Sequence, residues 1–203
     1  KKMTAMTKPT NAEITFLREA QDRKIRNLEF FKTFHPPIYN QFAEYQLSNY
    51  QVSLISSNFQ LDILKDGQSI YDGRPLAEAR EEIADFESHY PAGGLMSTVH
   101  PPFQGYEMPR FFHQSCANLI KKAPVKQYQY QGYKIPDFYP MVMFFGVGAG
   151  YQVKEFLEKH TVVNALIIEP DPELFACSLY TIDWEDICQP FVDTPNHSIH
   201  FTI

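Results

Sequence analysis

Between an apolar run and an amphipathic one, the sequence places Gly146-x-Gly148-x-Gly150, followed directly by Tyr151. Glycine lets a chain turn sharply and lets backbone N–H groups approach a ligand, and a helix start presents partial positive charge to an anion. Glu169 follows Gly150 by 19 residues. In doubly wound folds an acidic residue about that far along, at the tip of the second strand, accepts hydrogen bonds from ribose hydroxyls. Gly146, Gly148, Gly150, Tyr151 and Glu169 therefore form a candidate site for a nucleotide or sugar-nucleotide, with Tyr151 placed to stack on a base. The spacing favours a nucleoside of the S-adenosylmethionine type over a dinucleotide, whose pyrophosphate must sit on the helix. The competing reading is that three small residues let a helix pack close to a sheet.

Other chemistry is sparse. His197 and His200, three apart among β-branched residues, point to opposite faces of a strand and make poor paired metal ligands. His113 and Cys116 share a helix face, but no third group orients them as a nucleophile and base. Tyr128 and Tyr130 alternate with glutamines and form one aromatic face, suited to packing or to a sugar ring. Asp171 and Glu173 read as charges that stabilise a helix N-terminus. No Gly-x-Ser-x-Gly elbow, phosphate-binding Walker loop or His-Glu-x-x-His motif is present. No catalytic residue and no metal site is assigned.

These residues need elements to hold them. Residues 11–33 carry Ile14, Leu17, Ile25, Leu28 and Phe31 at helical spacing, with Asn11 as the cap and Pro36-Pro37 as the stop. Residues 51–57 read as a strand, and Phe59, Leu61 and Ile63 alternate in a second. Asp66-Gly67 marks a type I′ hairpin turn, with Ile70-Tyr71 as the returning strand. Pro75 opens a helix whose stripe is Leu76, Ala79, Ile83 and Phe86. Residues 91–105 are loop-like, and 110–122 read as a helix. The apolar run 141–145 predicts a strand buried on both faces. Residues 151–160 then read as a helix and 163–168 as a second buried strand. Asp171 caps the next helix, whose face is Leu174, Phe175, Leu179 and Ile182, and 198–203 form a third strand.

The fold class is thus α/β: a Rossmann-like parallel half-sheet at the C-terminal end, preceded by a helix plus β-hairpin α+β region. The division falls into residues 1–140, helical and hairpin, and 141–203, a βαβαβ half. Because such a sheet rarely stops at a bare third strand, the chain is expected to be a piece of a longer multidomain protein. Its 203 residues are 44% hydrophobic and 15% aromatic, enough for a packed core and against disorder. The net charge is −6, with 8 basic and 4 acidic residues in 1–40 but 2 and 9 in 141–203. That balance argues against nucleic acid, whose binding needs clustered positive charge. No apolar run suits a membrane helix or a signal peptide, so a cytoplasmic location is expected. Three dispersed cysteines fit a reducing compartment and argue against a disulfide framework or zinc. No cofactor is expected to be needed for folding.

The runs Phe144-Phe-Gly-Val-Gly-Ala-Gly-Tyr151 and Leu166-Ile-Ile-Glu-Pro-Asp-Pro-Glu-Leu-Phe175, with Asn27-Leu-Glu-Phe-Phe31 and the Pro36-Pro37 break, resemble the motility accessory factor family of bacterial flagellin glycosyltransferases. The hairpin at Asp66-Gly67 and the helix 77–86 are similar to that family's N-terminal domain, and the resemblance spans about residues 27–203. It implies transfer of a nonulosonic acid from a CMP carrier to Ser or Thr of flagellin in the cytoplasm. The transfer itself belongs to a central domain that follows. No segment matches the Gly-Pro-Ser-Leu type loop of that domain, so no catalytic residue is carried over. The implied partners are flagellin and the downstream transferase domain of the same chain. Two further readings stand beside it: the nucleotide-binding part of an S-adenosylmethionine-dependent methyltransferase, and a non-catalytic flagellin-docking scaffold.

Overall fold

A threonine, rather than Asn11, starts the first helix. In the computed structural model, which describes residues 9–90 and 138–203, Thr10 caps α1 (Asn11–Phe34). Its hydroxyl accepts the Glu13 N–H at 3.2 Å while the Glu13 carboxylate takes the Thr10 N–H at 2.6 Å, a reciprocal capping box. The helix buries Ala20, Asn27 and Phe31, whereas Ile14, Leu17 and Ile25 of the expected stripe are exposed. Asn27 centres the contact. Its amide donates to the carbonyls of Leu179 and Ile182 at 2.8 and 2.9 Å, and its Oδ1 accepts the Trp184 N–H at 2.8 Å. Leaving such buried groups unmade costs about 1–3 kcal/mol each, so one polar residue sets which side of α1 faces inward.

Pro36-Pro37 ends α1 and also begins α2 (Pro36–Phe42), a short helix absent from the sequence reading. Proline at a first helical turn loses no hydrogen bond, so the stop signal for one helix is the start signal for the next. Ile38 and Phe42 are its buried side. Strands β1 (Tyr50–Ile55), β2 (Gln60–Lys65) and β3 (Gln68–Ser69) follow as an antiparallel sheet. Asp66 and Gly67 take φ of 52° and 76°, the turn expected of them. The returning strand is Gln68–Ser69, so Tyr71 leaves the sheet instead of extending it. Then comes α3 (Pro75–His89), with Pro75 in its first turn and Ala79 and Ile83 buried.

The C-terminal half runs β4 (Tyr139–Phe145), α4 (Tyr151–Lys159), β5 (Val162–Ile168), α5 (Pro172–Thr181), α6 (Trp184–Asp193) and β6 (Ser198–Thr202). The strands are parallel in the order β4-β5-β6, which is the expected half-sheet. Helix α6 was not expected, and Ile182, expected on a helix face, is the extended C-cap of α5. In register, Val142–Ala165–Ile199 and Phe144–Ile167–Phe201 line one sheet face, against Val153 and Phe156 of α4, Phe175 and Leu179 of α5, Ile187 and Phe191 of α6, and Phe31 of α1. Phe201 stands edge-on to Phe31 and Trp184, with centroids 5.6 and 5.4 Å apart. Nothing among the described residues covers the other face. Met141, Met143 and Phe145 are exposed there, so β4 is buried on one face only, contrary to its unbroken apolar sequence.

The described residues on both sides of residue 140 cluster as one compact unit. Ile63 of the hairpin packs with Ala149 of the glycine loop and Cys177 of α5, so the hairpin joins the C-terminal half across residue 140. The expected loop at 91–105, the helix at 110–122, the tyrosine alternation at 127–131 and the His113/Cys116 pair lie outside the described residues. No described helix is long and apolar enough to cross a membrane.

Candidate functional site

The glycine loop leaves β4 at its carboxyl end and enters α4, as its position in the sequence requires. Gly146, Gly148 and Gly150 all take positive φ, of 93°, 50° and 78°. They differ in why. A side chain at Gly146 would meet nothing among the described residues, at Gly148 it would strike the Tyr71 hydroxyl, and at Gly150 the Ile182 Cδ1. Two of the three glycines thus admit other parts of the same chain.

Each N–H of the loop has an acceptor within the protein. Gly146 donates to the Ile168 carbonyl at 2.7 Å, and Gly150 to the Val147 carbonyl at 2.7 Å. Val147 and Gly148 donate to one oxygen of Glu169, at 2.7 and 3.1 Å. Ala149 donates to the Tyr71 hydroxyl at 2.8 Å. A carboxylate and a phenol from the chain itself hold the positions where a phosphate would collect backbone donors. Glu169 is buried and its second oxygen accepts the Asp171 N–H at 2.9 Å. The five expected residues are therefore brought together, with Glu169 turned into the loop. Tyr151 is turned away from it: its hydroxyl accepts the Leu61 N–H at 3.2 Å and donates to the Leu61 carbonyl at 3.1 Å, tying α4 to β2.

Burial pushes the Tyr71 phenol up to about 12, reinforced by the charges of Asp62 and Glu169 and opposed by the Ala149 N–H. It stays a neutral hydroxyl, able to accept from Ala149. Burial raises Tyr151 as well. Neither phenol is poised to exchange a proton near neutral pH.

A second buried carboxylate lies beside the first. Glu173, in the first turn of α5, accepts the backbone N–H groups of Ser48, Asn49 (2.6 Å) and Tyr50 (3.0 Å). The Ser48 hydroxyl and the Asn49 side-chain amide add bonds of 3.0 and 2.9 Å. Burial works against its charge, but the donors from Tyr50, Asn49 and Ser48 outweigh it and hold Glu173 down to about 2. Asp171 caps α5 as expected, accepting the Glu173 N–H at 3.0 Å, and also takes the Tyr50 hydroxyl at 3.1 Å. Cys177, one turn further, is pushed up to about 12 by burial and by the charges of Glu173 and Asp171, and is an inert thiol. The sequence reading missed Tyr71 and the Ser48–Tyr50 amides. Only the misplaced end of the third hairpin strand hinted at Tyr71.

Space at the loop is small. The groove bounded by Phe86, Val142, Gly146, Gln152 and Phe156 has a volume of about 100 Å³. Small-molecule sites usually measure about 300–1,000 Å³. A cavity of about 450 Å³, lined by His160, Asp186, Pro190 and His197, lies at the opposite ends of the strands. Doubly wound folds bind ligands at the carboxyl ends.

A parallel β-α-β half-sheet, with its glycine turn engaged from within and an antiparallel hairpin packed on it, defines a Rossmann-like half-fold. The chain belongs to the family of glycosyltransferase Maf N-terminal domains, whose model matches residues 24–203. Its structure is similar to that of a Maf glycosyltransferase from Magnetospirillum magneticum AMB-1, with a TM-score of 0.59 and 16% identity over 90% of this chain. The match covers 27% of that relative's chain, so this one spans roughly a quarter of its length. No curated protein matches the sequence.

Proposed function

We propose that this chain is the non-catalytic N-terminal domain of a glycosyltransferase that moves a nonulosonic acid from a CMP carrier to flagellin, and that its glycine loop serves packing rather than ligand binding. Membership of the Maf N-terminal family supports the first part. One observation carries the second: Glu169 and Tyr71 already occupy the Val147, Gly148 and Ala149 amides. A phosphate would have to displace a buried carboxylate and a half-buried phenol before reaching these amides.

Calorimetric titration with CMP, a CMP-linked nonulosonic acid and S-adenosylmethionine tests the loop. No heat of binding is expected from any of the three. Saturable binding of S-adenosylmethionine, lost in Gly148→Arg, would establish a methyltransferase-type site instead, and binding of the CMP species would assign this half to the sugar donor. The transfer reaction is tested on flagellin from cells lacking the gene, whose intact mass should fall by the sugar. An unchanged mass would overturn the proposed substrate.

A further inference from the structure

The larger cavity, at the amino ends of the strands, plays no part in the proposed function. At about 450 Å³ it falls in the range of small-molecule sites, unlike the groove at the glycine loop. Leu157, Val162, Ile187 and Phe191 give it apolar walls. Two helix segments supply its polar character. One is the C-terminus of α4, where the carbonyls of Leu157, Glu158 and Lys159 have no helical donor and take no other backbone N–H among the described residues. Such carbonyls carry the partial negative charge of a helix end. The other is the middle of α6, where Pro190 has no N–H to give the Asp186 carbonyl. Asp186, Pro190 and Thr194 all line the cavity, so the gap in the helical ladder opens on that side.

Side-chain charge on the rim has the same sign. Lys159 Nζ and His160 Nε2 both reach the Glu87 carboxylate, at 2.7 and 2.5 Å, and Glu158 lies 3.8 Å from Lys154. Asp186 is then the one charged side chain of the lining without an ion pair among the described residues. We infer that the cavity binds a small organic cation, an alkyl-ammonium or alkyl-guanidinium group. Its N–H donors go to the Asp186 carboxylate, the Asp186 carbonyl and the carbonyls at the α4 terminus, and its alkyl part lies against Ile187 and Phe191. Such a ligand satisfies acceptors that the chain leaves open, whereas an anion would desolvate them and gain no bond. A metal ion fits less well. No three His, Cys, Asp or Glu side chains of the described residues come together to hold one, and the apolar walls suit carbon. Free amines and the lysine or arginine side chains of a partner protein share the chemistry required. The inference goes beyond the proposed glycosyl transfer and does not depend on it.

Titration of the full chain with agmatine, followed by amide NMR, tests the site. Saturable shifts are expected at residues 158–161 and 186–191. None is expected from butyrate, which has a similar alkyl chain and the opposite charge. Asp186→Asn, at an exposed position, should raise the dissociation constant roughly tenfold. Pro190→Ala returns a helical donor to the Asp186 carbonyl, so it should weaken binding about threefold while raising the urea midpoint. A purely structural role would move the midpoint and leave the affinity alone. Nα-acetylarginine amide separates the sources: binding as tight as agmatine's assigns the cavity to a partner's side chain, and its exclusion to a free cation. Both results uphold the chemistry. Absence of saturable shifts, equal shifts from butyrate, or an affinity untouched by both substitutions would overturn the inference.

Discussion

Glu169 and Glu173 are four residues apart in the sequence, both buried, and both spend their carboxylates on backbone N–H groups. They serve different stretches of the chain. Glu169 gathers amides 21 and 22 residues back, in the turn that leads into α4. Glu173 gathers amides 123–125 residues back, at the entry to the hairpin. One carboxylate shapes a local turn; the other fastens the first half of the chain to the second. A buried acid in a Rossmann-like half-sheet is thus not by itself a ligand contact. Its role depends on which amides reach it first.

Removing the two acids separately is the strongest test of that contrast. Glu173→Ala orphans three backbone donors and should cost about 3–5 kcal/mol in urea unfolding, on the scale of buried donors left unpaired. Glu169→Ala should cost less, because its partners lie in one short turn that can relax together. Equal losses would erase the distinction between a clasp and a local brace. Next in size, Gly150→Ala should lose about 2–4 kcal/mol, since it combines positive φ with a collision against Ile182. Gly146→Ala, with open space around it, should lose only about 1 kcal/mol.

The pH dependence sharpens the comparison further. Glu173 is held at about 2 in the folded chain, below its ordinary value of 4.5. Its contribution is therefore complete above about 4.5 and is lost as the pH falls through about 2. Urea midpoints measured down that range should fall more steeply for the parent chain than for Glu173→Gln. Parallel curves would mean that another carboxylate carries the acid sensitivity. A modest effect is expected of Tyr71→Phe, which orphans the Ala149 N–H alone and should cost about 1–2 kcal/mol. That variant also empties one position at the glycine loop, so a gain of CMP affinity on calorimetry would turn a packing loop into a latent anion seat.

Local features were legible in the sequence. Asp66-Gly67, the Pro75 helix start, the Asp171 cap and the glycine turn each act within a few residues, so composition and spacing reveal them. Helix α6 was also written there: Trp184, Ile187, Cys188 and Phe191 recur at helical spacing and are buried. Pro190 inside that helix disguised it, because proline is usually read as a stop. Short α2 was hidden by the same logic at Pro36-Pro37. The two-sided burial expected of β4 failed for a different reason. A continuous apolar run reports that both faces want covering, not that both covers are present. Nothing local marks Tyr71, or Glu173 as more than a helix-end charge, because the groups they meet lie 78 and 123–125 residues away.

Asn27 has a consequence for how this domain comes into being. Its partners at Leu179, Ile182 and Trp184 are 152–157 residues further along. Phe31, on the same face, packs on Phe175, Trp184 and Phe201. During synthesis at roughly 5–20 residues per second, α1 emerges and then waits on the order of 8–30 s for the surface that shields it. Throughout that interval a nascent phenylalanine stripe stands in the open beside the ribosome. The earliest of the described helices to be made is among the last to be finished, and slow translation prolongs its exposure to holding chaperones.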